Sequence, residues 1–121
     1  MIFYDNRHET AYNEICGRMK YLDCYHRSFA YLLALDTVLR NHIDAVFDFD
    51  EDVIKPEGLN NSFQTGTSSK TIRLAFNLWN GYCSEGEPIE EETPSINYAP
   101  DHIFCCSEYA PYYWKAIKIR F

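Results

Sequence analysis

CYHRSFAYLLALDTVLRNHIDAVF, residues 24–47, is a continuous run in which apolar residues recur at helical spacing. Asp23 precedes the run as a candidate N-cap, because an aspartate side chain accepts hydrogen bonds from the first free N–H groups of a helix. The stripe changes phase near Asp36 and Thr37, where Asp36 would cap a fresh start. Its members are Tyr25, Phe29, Leu32 and Leu33 before the change, and Leu39, Ile43, Val46 and Phe47 after it. The run therefore predicts either one kinked helix or two tightly joined helices.

The same helical spacing recurs on both sides of this run. Helices are predicted over residues 6–21, 24–47, 68–80 and 111–119. The residues of the third helix that are predicted to be core are Ile72, Phe76 and Trp79. Asp5 or Asn6 is available as the N-cap of the first helix. Gly81 follows the third helix and suits the left-handed conformation in which many helices end, and Pro111 fits the first turn of the last helix.

Composition indicates a folded chain with one modest core. Of its 121 residues, 46% are hydrophobic and 17% aromatic, which is too apolar for a disordered chain. We predict one compact, mostly α domain over residues 1–121, with about four helices and a long acidic loop. The last five residues, IKIRF, fit either the final helix or a short C-terminal strand.

The charge and the cysteines narrow the classes of function. A formal net charge of −7 argues against nonspecific binding to nucleic acid or to an anionic membrane, and favours a basic partner. No apolar run has the length of a membrane span, and the N-terminus lacks a signal peptide. The spacing of the five cysteines indicates no set of disulfide pairs. We interpret them as reduced thiols, which predicts a cytoplasmic protein. His102, Cys105 and Cys106 lack a second ligand pair at zinc spacing, so no metal or cofactor is predicted.

Two acidic segments interrupt the helical pattern. Residues 48–66 begin with four acids in five positions and are expected to form a long loop, a kind of segment that is often functional. The residues predicted to bind a basic partner are Asp48, Asp50, Glu51 and Asp52; the alternative is that they only keep the protein soluble. Residues 84–94, SEGEPIEEETP, are predicted to form a solvated, flexible connector.

The stretch FQTGTSSKT, residues 63–71, raises the question of a phosphate site. A P-loop needs two glycines with a lysine directly after the second, and this stretch has one glycine and no preceding strand. The simplest interpretation is an ordinary helix start, with Thr67, Ser68 or Ser69 as the cap and Gly66 as a turn residue.

An anion site is the alternative interpretation of the same stretch. The start of a helix offers N–H groups with a partial positive charge, and Lys70 and Arg73 add full charges. The predicted ligand-binding residues are Gln64, Thr65, Gly66, Thr67, Ser68, Lys70 and Arg73. The competing expectation is that the two cations pair with carboxylates from residues 50–52, folded over them.

Three stretches of the chain resemble a family of small uncharacterised proteins encoded in Firmicutes, largely Clostridia, often within prophages and mobile elements. They are YLLALDTVLRNHI (31–43), IKPEGLNNSFQTGTSSKTIRLAFNLWNGY (54–82) and EYAPYYWKAIKIRF (108–121). The resemblance carries no catalytic residue. It implies a bacterial host cell and a role shared by many small acidic mobile-element proteins, the inhibition of bacterial immunity.

Two classes of function follow. The first is a binding protein that blocks a bacterial defence effector, as anti-CRISPR proteins do, or sequesters a phosphorylated small molecule such as a nucleotide signal. The second is a small enzyme that acts on a phosphate-containing or nucleotide substrate. The sequence has no recognisable nucleophile, metal set or cofactor motif, which favours the binding protein. The sequence does not indicate an oligomeric state.

Overall fold

The architecture is known from a computed structural model, which describes residues 1–86 and 94–121. In these ranges the chain forms seven α-helices: α1 (Asn6–Arg18), α2 (Cys24–Leu35), α3 (Thr37–Arg40), α4 (Ile43–Val46), α5 (Gly66–Asn80), α6 (Pro100–Phe104) and α7 (Ala110–Arg120). Two short strands, β1 (Phe47–Asp48) and β2 (Val53–Ile54), follow α4, and 3-10 helices lie at Pro56–Asn60 and Ile96–Tyr98. The prediction of a compact, mostly α protein is confirmed, and its four long helices are α1, α2, α5 and α7.

The centre of the fold is α2, the first half of the stretch that predicted the fold. Its residues from Ser28 to Leu35 are buried, because α1, α5 and α7 all pack against it. Phe29, for example, has no exposed surface and lies against the rings of Phe47 and Phe76, with centroids 5.0 and 6.4 Å away. A helix that is surrounded in this way needs apolar residues on every side, which explains the run AYLLAL.

Residues 24–47 are divided into more elements than was predicted, either as one kinked helix or as two tightly joined helices. Asp36 has an extended backbone (ψ 130°), and its side chain accepts a hydrogen bond from the N–H of Leu39 at 3.0 Å. Asp36 thus caps α3, as predicted. The chain does not continue as one long helix: α3 and α4 are single turns, and Phe47 already belongs to β1.

The other predicted caps hold, with shifts of boundary. Asp5 accepts from the N–H of His8 at 2.8 Å and Asp23 from the N–H of His26 at 3.0 Å. Helix α1 ends at Arg18, three residues before the predicted end. Leu22 is exposed, because it lies in the connection between α1 and α2.

Helix α5 begins two residues earlier than predicted and ends where Gly81 takes a left-handed conformation, with φ +80°. Ile72 and Phe76 are fully buried, as predicted. Trp79, also predicted to be core, is only partly buried, although it packs against the core.

The last five residues are helical up to Arg120, so IKIRF does not form a strand. Tyr113 and Ala116 are the buried face of α7, and the hydroxyl of Tyr113 lies 2.7 Å from the hydroxyl of Thr71 on α5. In the part of the chain that the structure describes, no helix is long and apolar enough to cross a membrane.

Candidate functional site

The start of α5 is built by a reciprocal pair of hydrogen bonds between Thr65 and Ser68. The hydroxyl of Thr65 accepts from the N–H of Ser68 at 3.1 Å, and the hydroxyl of Ser68 accepts from the N–H of Thr65 at 2.8 Å. Thr65 is therefore the N-cap, and the expectation that Thr67, Ser68 or Ser69 has this role is wrong. Gly66 is the first helical residue and not a turn residue.

Part of the predicted ligand-binding segment faces the protein interior. Ser68 is fully buried, and its hydroxyl also donates to the side-chain oxygen of Gln64 at 2.5 Å. The amide nitrogen of Gln64 donates to the carbonyl of Gly58 at 2.9 Å, so this side chain joins α5 to the preceding 3-10 helix. The polar groups of Gln64 and Ser68 thus satisfy one another instead of facing a ligand.

The two cations of the segment also have protein partners. Arg73 forms a two-pronged pair with Glu85, with Nε to Oε2 at 3.1 Å and Nη2 to Oε1 at 2.5 Å. Only 18% of the Arg73 side chain and 24% of the Glu85 side chain are exposed. Lys70 donates to the carbonyl of Cys105 at 2.6 Å. The carboxylates of residues 50–52, which were expected to pair with these cations, pair with neither of them. The partner of Arg73 is instead Glu85, from the second acidic segment.

An open depression of about 350 Å³ lies beside this helix start. Its lining residues are Thr65, Gly66, Ser69, Lys70, Arg73, Asn97 and His102. The structure thus brings four of the predicted ligand-binding residues to one surface, and adds Ser69, Asn97 and His102, which were not predicted to bind a ligand there. Ligand binding in this depression stays a prediction.

The described part of the second acidic segment is held by the core. Ser84 is buried, and its carbonyl accepts from the hydroxyl of Tyr98 at 2.6 Å. The N–H of Gly86 donates to the hydroxyl of Tyr82 at 3.0 Å. With Glu85 bound to Arg73, residues 84–86 are anchored; the remainder of the predicted connector, at 87–93, lies outside the described residues.

The start of the first acidic segment, through residue 54, forms an ordered hairpin and not an open loop. Strands β1 and β2 pair antiparallel, with Phe47 opposite Ile54 and Asp48 opposite Val53. The side chain of Asp48 accepts from the N–H groups of Asp50 and Glu51, each at 3.0 Å. We call residues 48–52 the acidic turn. Its backbone is fixed by these contacts, because aspartate side chains stabilise turns by bonding to N–H groups two and three residues ahead.

Asp52 fixes the far end of the acidic turn to α2. Its carboxylate lies 2.8 Å from Nε2 of His26, and Nδ1 of the same imidazole lies 2.6 Å from the carboxylate of Asp23. Burial alone would lower the pKa of His26, but the hydrogen bonds to Asp23 and Asp52 outweigh it and raise this pKa. Asp52 has φ +59°, a left-handed conformation that aspartate adopts at a cost.

The carboxylates of the acidic turn differ in their surroundings. Asp50 and Glu51 are exposed, and within the described ranges neither carboxylate has a lysine, arginine or histidine at ion-pair distance. Two nearby cations contact other groups: Arg18 pairs with Asp44 at 2.8 Å, and Lys20 donates to the backbone carbonyl of Asp50 and not to a carboxylate of the turn. Two negative charges are therefore presented to the solvent on an ordered backbone.

Exposed aromatic residues lie beside His26, the residue that holds the acidic turn, and sequence reasoning missed this. The ring of Tyr21 lies 5.6 Å from the ring of His26, which in turn holds Asp52. Tyr25, predicted to be core, is exposed, and Arg120 lies over its ring at 3.6 Å and over the ring of Phe121 at 4.5 Å. Tyr21 lies in the connection before the α2 cap, Asp23, and Tyr25 lies in the first turn of α2, so the available signal was the position of Asp23.

Among residues 1–86 and 94–121, no group of three histidine, cysteine or acidic side chains is arranged to hold a metal ion. Cys105 and Cys106 are both exposed, with their sulfur atoms 3.5 Å apart. The hydrogen bond between these thiols raises the pKa of Cys105.

The fold and these surfaces define a small, mostly helical protein with a rigid acidic turn beside exposed aromatic residues. The chain belongs to DUF6075, a family of unknown function whose model matches residues 1–121. The resemblance of the chain to an uncharacterised family is thereby confirmed. No curated protein and no solved structure shows significant similarity to it.

Proposed function

We propose that this protein is a binding protein that blocks a basic target through its acidic turn, and that the target is an effector of bacterial defence. The single observation that supports binding is the ordered presentation of Asp50 and Glu51. The choice of target follows the resemblance to small acidic proteins of Firmicutes prophages and mobile elements.

Preorganisation makes the acidic turn suited to binding. Ordering a flexible side chain at an interface costs about 0.5–1.5 kcal/mol, and a loop that must fold on binding costs more. Here the N–H bonds to Asp48, the β1–β2 pairing and the Asp52–His26 contact already fix the backbone. A basic surface that meets this turn would gain its charge pairs without the cost of loop ordering.

The aromatic residues beside the turn supply the apolar part of such an interface. Tyrosine and arginine are enriched at the centres of protein interfaces, where they bury a large area and leave a polar group for hydrogen bonding. Tyr21 and Tyr25 are of this type: the Tyr21 ring lies 5.6 Å from the ring of His26, which holds the turn, and Tyr25 precedes His26 in α2, with Arg120 over its ring. The acidic turn and these tyrosines together fit a partner whose apolar contact surface is bordered by basic residues.

The test is the protection of phage in bacterial strains that each carry one defined defence system. Wild-type protein should raise the efficiency of plaquing in the strain whose effector it blocks. The variant D48N/D50N/E51Q should lose this effect, because three negative charges are removed. The amide that replaces the carboxylate at position 48 still has an oxygen to accept the turn N–H groups, so the turn should stay ordered. Asp52 is left unchanged because it holds His26.

A matched control removes three exposed acids elsewhere, in the variant E9Q/E14Q/D101N. This control has the same net charge as the turn variant and should protect phage as well as the wild-type protein. Binding of the purified effector should weaken steeply with salt for the wild-type protein and the control, because exposed charges are screened. Equal protection by both variants, or no protection by the wild-type protein in any strain, would contradict the proposal.

A further inference from the structure

The two buried histidines have opposite hydrogen-bond surroundings. His8 accepts at Nδ1 from the N–H of Tyr4 at 3.0 Å, and its Nε2 lies 2.9 Å from the carbonyl of Tyr31. One donor and one acceptor match a neutral imidazole with its proton on Nε2. His26 meets carboxylates at both nitrogens, Asp23 at 2.6 Å and Asp52 at 2.8 Å. Two acceptors require an N–H on each nitrogen, which only the imidazolium has.

Asp23 and Asp52 supply the charges that face the His26 ring and determine whether it is protonated. The residue is 5% exposed. Asp23 faces it from the cap of α2, Asp52 from the acidic turn and the Tyr21 ring from the connection after α1. From α5 the Trp79 ring approaches to 4.8 Å between centroids and brings no titratable group. The two negative charges that face the imidazole therefore come from two elements, the α2 cap and the acidic turn, which His26 joins.

We propose that His26 acts as a pH-sensitive clasp, which holds the acidic turn on α2 while the imidazole is protonated and releases the turn when it loses its proton. A neutral ring keeps one N–H and presents a lone pair to the other carboxylate. Asp23 keeps its position because its carboxylate also accepts the backbone N–H of His26 at 3.0 Å. Asp52 is the partner that leaves, since its left-handed backbone, φ +59°, relaxes once the contact is lost.

The direction of the pH effect follows from the raised pKa of His26. Burial opposes this rise, and the hydrogen bonds to Asp23 and Asp52 overcome it. The stabilisation from the clasp is complete below the pKa of an unfolded histidine, about 6.5, and is lost as the pH rises through the higher pKa of the folded state. The acidic turn is thus ordered while His26 is protonated and loosens as the pH rises through the raised pKa of this residue.

The clasp is tested on the free protein by NMR, with ¹⁵N shifts of the imidazole and hydrogen exchange of the turn. At pH 6 both nitrogens of His26 should carry protons. As the pH rises, the protection of the Asp50 and Glu51 amides, corrected for intrinsic exchange, should fall at the same midpoint as His26. In D52N, where an uncharged amide replaces the carboxylate, that midpoint should move to lower pH.

The control is E51Q, which removes one negative charge from the same turn without touching His26. Its His26 midpoint should stay close to that of the wild-type protein. H26Q should show the low protection at every pH, and D52N keeps the test informative if H26Q does not fold. A neutral His26 ring at pH 6, or turn amides that do not follow the midpoint, would overturn the proposal.

The clasp deepens the proposed function, and only its effect on a partner rests on that function. If binding of a defence effector fails while the NMR midpoints coincide, the clasp stands and the target is wrong. If binding is confirmed, the affinity of the wild-type protein should decline with pH through the His26 midpoint. The affinity of H26Q should lack that step.

Discussion

Arg73 shows how a single residue can suggest a ligand in the sequence and find its partner in the fold. The positive charge near the start of α5 predicted an anion site, yet Glu85 takes both prongs of the guanidinium. No spacing rule links residues 73 and 85, because their meeting depends on how the chain returns to α5 after Gly81. The start of the helix did have a local signal, which was missed: Thr65 and Ser68 have capping-box spacing, with serine in place of the usual glutamate or glutamine.

The Arg73–Glu85 pair should contribute to stability. R73A leaves a mostly buried carboxylate without its charged partner, and we expect the free energy of unfolding to fall by roughly 1–3 kcal/mol. Urea denaturation of R73A, E85A and the double variant gives the coupling energy between the two side chains. R7A, which removes an exposed arginine from α1, is the control and should change stability little. Additive effects of R73A and E85A would show that the pair is not coupled.

At the scale of elements, local signals located the long helices and the break at Asp36, but not the change from helix to strand. Asp5, Asp23 and Asp36 were identified as caps because a capping side chain acts on N–H groups two or three residues ahead. The change from α4 to β1 at Phe47 was missed, since the strand exists only through its pairing with Val53 and Ile54. The acidic turn was likewise found as a candidate surface, while its order depends on His26, which lies 26 positions away from Asp52 in the chain.

The break between α2 and α3 should depend on the Asp36 cap. D36A removes the oxygen that accepts the N–H of Leu39, and the free energy of unfolding should decrease by about 0.5–2 kcal/mol. D36N keeps an oxygen at the same place and should lose less. Thermal or urea unfolding followed by circular dichroism measures both. If D36A were as stable as D36N, the cap would not be what stabilises α3.

At the scale of the whole molecule, the core surrounds α2, so buried substitutions there should affect the entire fold. Phe29 has no exposed surface and contacts Phe47, Phe76 and Trp79. F29A should therefore reduce the free energy of unfolding by about 3–5 kcal/mol, through lost contacts and the cavity left behind.

F121A is the matched control for F29A, because it makes the same chemical change at a residue that is 83% exposed. Its effect on the free energy of unfolding should be within about 0.5 kcal/mol. Urea denaturation with equal slopes for all three proteins would support a comparison of midpoints. Similar losses in F29A and F121A would mean that burial on α2 does not dominate the stability of the molecule.

The contact of His26 with both Asp23 and Asp52 also restricts how members of this family can diverge. A neutral residue at position 52 would leave the imidazole with a single carboxylate, and a neutral residue at position 26 would leave two acids facing each other with no cation between them. A substitution at position 26 or 52 is therefore tolerated best when the other position changes with it. Across related sequences, positions 26 and 52 should therefore vary as a pair. Asp50 and Glu51 have no ion-pair partner in the described part of the protein, so these positions should vary with the surface of the partner that each relative binds.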